Sequence, residues 1–165
     1  MNSSMTRKDR EMPYTPLIGF STSIIFMIVW MFDTSFSFSV ILNRFCPLII
    51  RSILFFIILC LGVIFIYLSH KALFLQGELS DRLITEGIFG FVRHPMYLGG
   101  LLIFLSFILL SISLISIALF IIIFILYSKM ASYEERVLEN IFGKQYIDYK
   151  KQVRKWIPKL KKNNN

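Results

Sequence analysis

The polar positions of this chain gather into a few blocks separated by long apolar runs. The first run, Leu17 to Phe32, is slightly shorter than the about 20 residues that cross a bilayer core. Extended back through Tyr14 and forward past Asp33 it makes a complete span, with Trp30 near one interface. Pro47 opens a second run, at a first-turn position that suits proline. That run continues to about Ser69 and is closed by His70 and Lys71, with His70 expected as an end-of-helix cap. Its one charged residue, Arg51, lies about a turn inside and is expected to reach the headgroups as an anchor. The third run, Pro95 to Lys129, is too long for one comfortable span. The Ser111-Ile112-Ser113 break predicts two tightly paired helices, 96–110 and 113–129, joined by almost no loop. Each is short, which implies tilt or a locally thinned bilayer.

From Ala131 the pattern becomes amphipathic. Tyr133, Val137 and Ile141, with Leu138 and Phe142, recur at helical spacing until Gly143 interrupts. Tyr146, Tyr149, Val153, Trp156 and Ile157 then form a second apolar face beside Lys150, Lys151, Arg154 and Lys155. Two helices lying in the headgroup layer are expected, stopped by Pro158 and followed by a frayed end. The fold class is therefore all-α and polytopic: about four transmembrane helices, including a tight hairpin in the C-terminal half, then amphipathic interfacial helices. A single domain over 1–165 is expected. It divides into a polar tail (1–16), two spans (17–71), a cytoplasmic connection (72–95), the hairpin (96–129) and cytoplasmic amphipathic helices (130–160).

Composition sharpens this picture. Hydrophobic residues fill 56% of 165 positions, above the about 45–50% of a soluble domain, and the mean hydropathy is +0.67. The net charge of +8 reads as a cytoplasmic basic skirt on anionic headgroups, because no nucleic-acid-binding module accompanies it. All 18 Lys and Arg residues except Arg44 and Arg51 fall in the N-terminal tail, between Lys71 and Arg93, or from Lys129 onward. With four spans, that asymmetry puts both termini in the cytoplasm. The N-terminal charge precedes an apolar run as in a signal peptide, but no small-x-small cleavage site follows, so a retained helix is expected. Cys46 and Cys60 lack CxxC spacing and read as packing residues. Two histidines, His70 and His94, do not make a metal site.

The candidate chemistry lies in Arg93-His94-Pro95-x-Tyr97 at the hairpin mouth and in Glu134-Glu135, which a closed hairpin returns to the same membrane face. Each piece also has a plain structural reading. Pro95 is an ordinary helix start, Tyr97 an interfacial anchor, and the glutamates with Arg136 a solvated helix turn. Together they describe a pocket with acids, an arginine, an imidazole and aromatic rings. It suits a ligand bearing an ammonium, a carboxylate and a soft second cation. Gly87, Gly90, Gly99 and Gly100 permit tight turns and close backbone approach. No GxGxxG follows a strand pattern, which excludes a Rossmann site.

The order Leu83-x-Thr85-x-Gly87, Val92-Arg93-His94-Pro95-x-Tyr97-x-Gly99, an apolar hairpin, Glu134-Glu135-x-x-Leu138-x-x-x-Phe142-Gly143-x-x-Tyr146-x-x-Tyr149 and Trp156-x-Pro158 resembles the isoprenylcysteine carboxyl methyltransferases and their phospholipid N-methyltransferase relatives. The resemblance covers about residues 83–160. It implies a membrane methyltransferase using S-adenosylmethionine and a lipophilic acceptor: a prenyl-cysteine carboxylate, a lipid amine or a small apolar thiol or amine. Carried onto this sequence, it puts the cofactor on His94, Tyr97, Gly99, Gly100 and Glu134 or Glu135. Arg93, Glu134 and Glu135 take the catalytic positions, and Arg93, Tyr146 and Arg154 the acceptor side. The acceptor enters laterally from the bilayer. One departure is Gln152, where members that methylate protein carboxylates have an arginine, with Arg154 two positions on. Two other readings stand beside it: an NADPH-dependent lipid reductase of the sterol-reductase kind, which shares a His-Pro-x-Tyr-Gly tail, and a non-catalytic membrane binding module.

Overall fold

The computed structural model describes residues 15–75 and 83–157. The expected polar tail up to residue 14, residues 76–82 of the expected connection, and the end from Pro158 lie outside it. Five α-helices carry the described chain: α1 (Thr15–Phe36), α2 (Leu48–Leu75), α3 (Pro95–Ser111), α4 (Leu114–Phe142) and α5 (Lys144–Gln152). Short 3-10 turns occupy Ile41–Phe45 and Gly87–Gly90. Three of the helices, α1, α2 and α4, are long and apolar enough to cross a membrane. At 17 residues, α3 is about 26 Å long, slightly less than the hydrocarbon core. Large apolar side chains cover the outer surface, including Phe20 (68% exposed), Ile49 (74%) and Phe56 (62%). A soluble monomer does not expose apolar area on that scale. The protein is an all-α polytopic membrane protein, as the run pattern predicts.

Cross-helix contacts fix the topology. Gly62 of α2 meets Gly99 and Ile103 of α3, and Arg51 meets Leu110, so α2 and α3 are antiparallel. Thr22 meets Tyr127 and Asp33 meets Ser113, so α1 and α4 are antiparallel too. The starts of α1 and α3 and the ends of α2 and α4 therefore share one end of the bundle. Phe26, Leu101, Phe104, Ile108, Ile123, Tyr127 and Met130 form the core between α1, α3 and α4.

Several boundaries differ from expectation. The tight helix pair is α2 with α3, whereas the hairpin helices α3 and α4 touch sparingly. A Cβ on Gly99 would sit 2.8 Å from the Gly62 carbonyl oxygen, and one on Gly62 2.9 Å from that of Gly99. Two glycines thus bring the backbones together, as small residues do between membrane helices. The hairpin turn is as short as expected: Ile112 adopts a left-handed conformation (φ 40°, ψ 49°), and Ser113 caps α4 by accepting from the Ser116 amide at 3.0 Å. But α4 does not stop near 129. No glycine or proline interrupts it before Gly143, whose φ of +53° suits glycine and ends the helix. The first expected interfacial helix is therefore the protruding end of α4. The second, α5, buries Tyr146 and Tyr149 against Leu83, Leu138 and Phe142, so its apolar face is covered by protein.

Likewise α2 continues through His70 and Lys71 to Leu75, so His70 is no terminal cap. Arg51 is more than an anchor. Its Nη1 donates to the Leu110 carbonyl at 2.7 Å, satisfying a last-turn acceptor of α3 with a cation. Trp30, expected at an interface, donates its indole N–H to Phe107 and Ser111.

Candidate active site

Pro95 starts α3, and the residues just before and after it are wired to the far end of the sequence. Arg93 is a strut. Its Nε and Nη2 donate to Glu135 Oε1 at 3.1 and 3.0 Å. Its Nη1 donates to the carbonyls of Lys150 (2.9 Å) and Val153 (2.7 Å), and its amide to the Arg154 carbonyl at 3.0 Å. Most of the guanidinium's five donors are thereby committed.

His94 is buried and sits between the two glutamates. Its Nε2 is 3.1 Å from Glu135 Oε1, and its Nδ1 is 3.6 Å from Glu134 Oε2. Burial alone disfavours the charged ring, but hydrogen bonds and the charges of Glu134 and Glu135 outweigh it. The His94 pKa is held above its ordinary value. The Tyr97 hydroxyl donates to Glu134 Oε1, and Lys150 Nζ lies 3.4 Å from Glu135 Oε2. A continuous chain runs from Tyr97 through Glu134, His94, Glu135 and Arg93 into the C-terminal segment. Tyr149 donates to the Phe89 carbonyl at 2.7 Å, and burial pushes its phenol pKa, like that of Tyr146, well up.

This cluster borders a cavity of about 610 Å³, within the range of small-molecule and cofactor sites. Gly19, Phe20 and Ser23 of α1, His70 and Leu73 of α2, and Leu83, Ile84 and Phe89 line it. So do Arg93, His94, Tyr97 and Gly100 around the start of α3, and Tyr127, Glu134 and Tyr146. Neighbouring residues of one helix are thereby sorted by the 100° between them. Glu134 borders the cavity, while Glu135, 5% exposed, stands behind it and holds Arg93 and His94. Gly100 borders the cavity, with Tyr127 3.7 Å from where its Cβ would be, whereas Gly99 faces α2.

Of the residues singled out in the sequence, Arg93, His94, Tyr97, Gly100, Glu134 and Tyr146 line this cavity, and Glu135 supports it. Gly99 does not line it: its lack of a side chain serves the α2–α3 crossing. Arg154 does not line it either. Val153 is extended (φ −112°, ψ 132°) and buried, so the next side chain points outward; Arg154 is exposed and contributes only its carbonyl. The sequence reading missed Gly19, Phe20, His70 and Tyr127. Tyr127 had a signal, being a phenol inside an apolar span, where its hydroxyl needs a partner; it has one in Thr22 at 2.9 Å.

Comparison with known proteins gives concordant matches. The sequence profile of the family described as Phospholipid methyltransferase matches residues 50–145. The chain is similar to Protein-S-isoprenylcysteine O-methyltransferase of Schizosaccharomyces pombe, 33% identical over 112 residues, which is 61% of this chain and 46% of the relative. It is similar to Protein-S-isoprenylcysteine O-methyltransferase B of Arabidopsis thaliana, 29% identical over 85 residues, 51% of this chain and 43% of the relative. It is also similar to the Probable protein-S-isoprenylcysteine O-methyltransferase of Oryza sativa subsp. indica, 32% identical over 82 residues, 49% of this chain and 43% of the relative. The chain thus spans less than half the length of each. No solved structure gives a significant match.

Proposed function

The chain belongs to the phospholipid methyltransferase family, and from that premise we propose that it transfers a methyl group from S-adenosylmethionine to a lipophilic acceptor at the membrane surface. One observation carries the reading: a cavity inside a membrane helix bundle has a carboxylate, Glu134, on its wall, with the Tyr97 hydroxyl bonded to that acid and the His94 ring 3.6 Å from it.

The residues fit this donor. Glu134 would pair with its ammonium group, and the faces of Tyr97, Tyr127 and Tyr146 suit a soft sulfonium. Gly100 leaves room for close approach to α3. Bound there, the donor supplies an electrophilic methyl group for direct displacement by an acceptor oxygen, nitrogen or sulfur. The chain's own contribution is binding, alignment and exclusion of water. Glu135 and Arg93 are positioning residues. Glu135 holds the His94 ring and the guanidinium, and Arg93 pins the C-terminal segment beside the site. The apolar side chains of α1 and α2 would receive the acceptor's hydrophobic part, entering laterally from the bilayer. The relatives' names favour a prenyl-cysteine carboxylate as acceptor, ahead of a lipid amine or a small apolar thiol. The Lys and Arg asymmetry supports a cytoplasmic site, with both termini on that side. The family match favours this over a lipid reductase or a non-catalytic module.

The test is equilibrium binding of radiolabelled S-adenosylmethionine to the detergent-purified chain, with NADPH assayed alongside and His94→Ala as a variant. Saturable binding that weakens in the variant, without NADPH binding, is expected. A monodisperse, folded wild type that binds no S-adenosylmethionine would overturn the proposal.

A further inference from the structure

The outward face of α4 changes character within a single turn. Ile121, Ile122 and Ile125 are exposed and apolar. Immediately above them, toward the cavity end, come Lys129, Ser132, Tyr133 and Arg136, all exposed. These four polar residues, with Phe124, Ile125 and Ser128, border a groove of about 480 Å³, separate from the cavity described above. The C-terminal segment forms its flank: Trp156 packs on Phe124 with ring centroids 5.7 Å apart. Lys155 Nζ donates to the Ser128 carbonyl at 2.9 Å and the Ser132 hydroxyl at 2.7 Å.

Two cations, Lys129 and Arg136, therefore line one groove, a third, Lys155, is bonded to two of its lining residues, and among the described residues none of the three forms an ion pair with an acid. Burial lowers the Lys155 pKa below its ordinary value, with the charge of Glu135 opposing that shift. A local excess of positive charge lies where the apolar part of the helix ends. That height is where a bilayer presents phosphate, and cations near an anionic leaflet contribute about 1 kcal/mol each.

We propose that this groove is a binding site for one anionic phospholipid. Its phosphate would lie among Lys129, Arg136 and Lys155, with the groove's hydroxyls as further donors. Its acyl chains would run down Ile121, Ile122 and Ile125. Charge complementarity selects an anionic over a zwitterionic headgroup, because a choline or ethanolamine would add a fourth cation to an unpaired set. The site is independent of the methyl-transfer reading, since none of its three cations lines the cavity. Its lipid is bound rather than turned over.

Native mass spectrometry of the full chain in detergent, titrated with phosphatidylglycerol or phosphatidylcholine, tests this. The expected result is one retained phosphatidylglycerol per chain, bound about tenfold tighter than phosphatidylcholine. Lys129→Gln/Arg136→Gln should remove that preference, as should Lys155→Gln, which keeps the proposal testable if the double variant fails to fold. Lys144→Gln/Lys151→Gln, which removes two cations of α5, should leave it intact. Equal retention of the two lipids by the wild type would overturn the proposal, as would an equal loss in the α5 control.

Discussion

Each end of the bundle buries carboxylates among hydroxyls and amides, and the two ends use them differently. At the end away from the cavity, Asp33 is 2% exposed and accepts from the Ser39 amide (2.9 Å) and from the hydroxyls of Ser39 (2.6 Å) and Ser113. Ser39 in turn accepts from the amides of Leu114 and Ile115. The network ties the exit of α1 to the start of α4, and its acid does not line the 610 Å³ cavity. At the other end the task is divided between adjacent residues. Glu135 is consumed by Arg93, His94 and Lys150, as completely as Asp33 by its donors. Glu134 has Tyr97 and a long contact to His94, and it still borders open space. A satisfied buried carboxylate is architecture; one left with spare lone pairs on a cavity wall can hold a ligand.

That contrast can be broken by substitution. The largest effect is expected for Glu134→Gln. It should weaken S-adenosylmethionine binding about 10- to 100-fold, the range for losing a charged hydrogen-bond partner, with little change in thermal unfolding. Equal losses of affinity and stability would show that the two glutamates do not divide the work. Glu135→Ala leaves Arg93 and His94 without their shared acceptor and should cost about 3–5 kcal/mol, as breaking buried pairs does. Denaturation in detergent micelles reads this directly. Asp33→Asn should cost about 1–3 kcal/mol by disturbing a satisfied network while leaving donor affinity intact. An affinity loss matching that of Glu134→Gln would show that the far end is coupled to the site.

The smallest effect is a pH dependence. The folded-state pKa of His94 is raised above its ordinary value of 6.5. Its contribution to stability is therefore complete below that value and is lost as pH rises through the folded-state pKa. Wild-type unfolding midpoints should fall over that window relative to those of His94→Asn. Parallel pH profiles for the two proteins would remove the charged ring from the account.

Much of this was legible in the sequence because apolar runs, Pro95 and Gly143 act locally. The runs predict helices whatever their neighbours, and the Arg93–Tyr97 and Glu134–Glu135 blocks stand out as charge in an apolar chain. Helix register was not legible. Gly99 and Gly100 are chemically identical, and only the packing of α3 on α2 turns one toward a helix and the other toward the cavity. The same holds for Glu134 and Glu135. The end of α4 was misjudged near Lys129 because polarity changes there, although an α-helix stops for backbone reasons and continues through a change of solvent. The partner of α3 was misassigned because sequence adjacency suggested α4, while the feature that selects α2 is Gly62, one small residue inside an unbroken apolar run.

The bonds from Arg93 to Lys150, Val153 and Arg154 also have a consequence for biosynthesis. Every apolar helix described here precedes Gly143 and carries its own hydrophobic drive for insertion. Yet the carbonyls that Arg93 needs, and Tyr146 on the cavity wall, lie in the segment after Gly143. Insertion and completion of the site are therefore separable, the second depending on the short polar stretch after Gly143. A chain cut just before Lys144 would keep every apolar helix and lose the wall and strut contacts of the cavity, so abundance in the membrane is a poor proxy for a completed site.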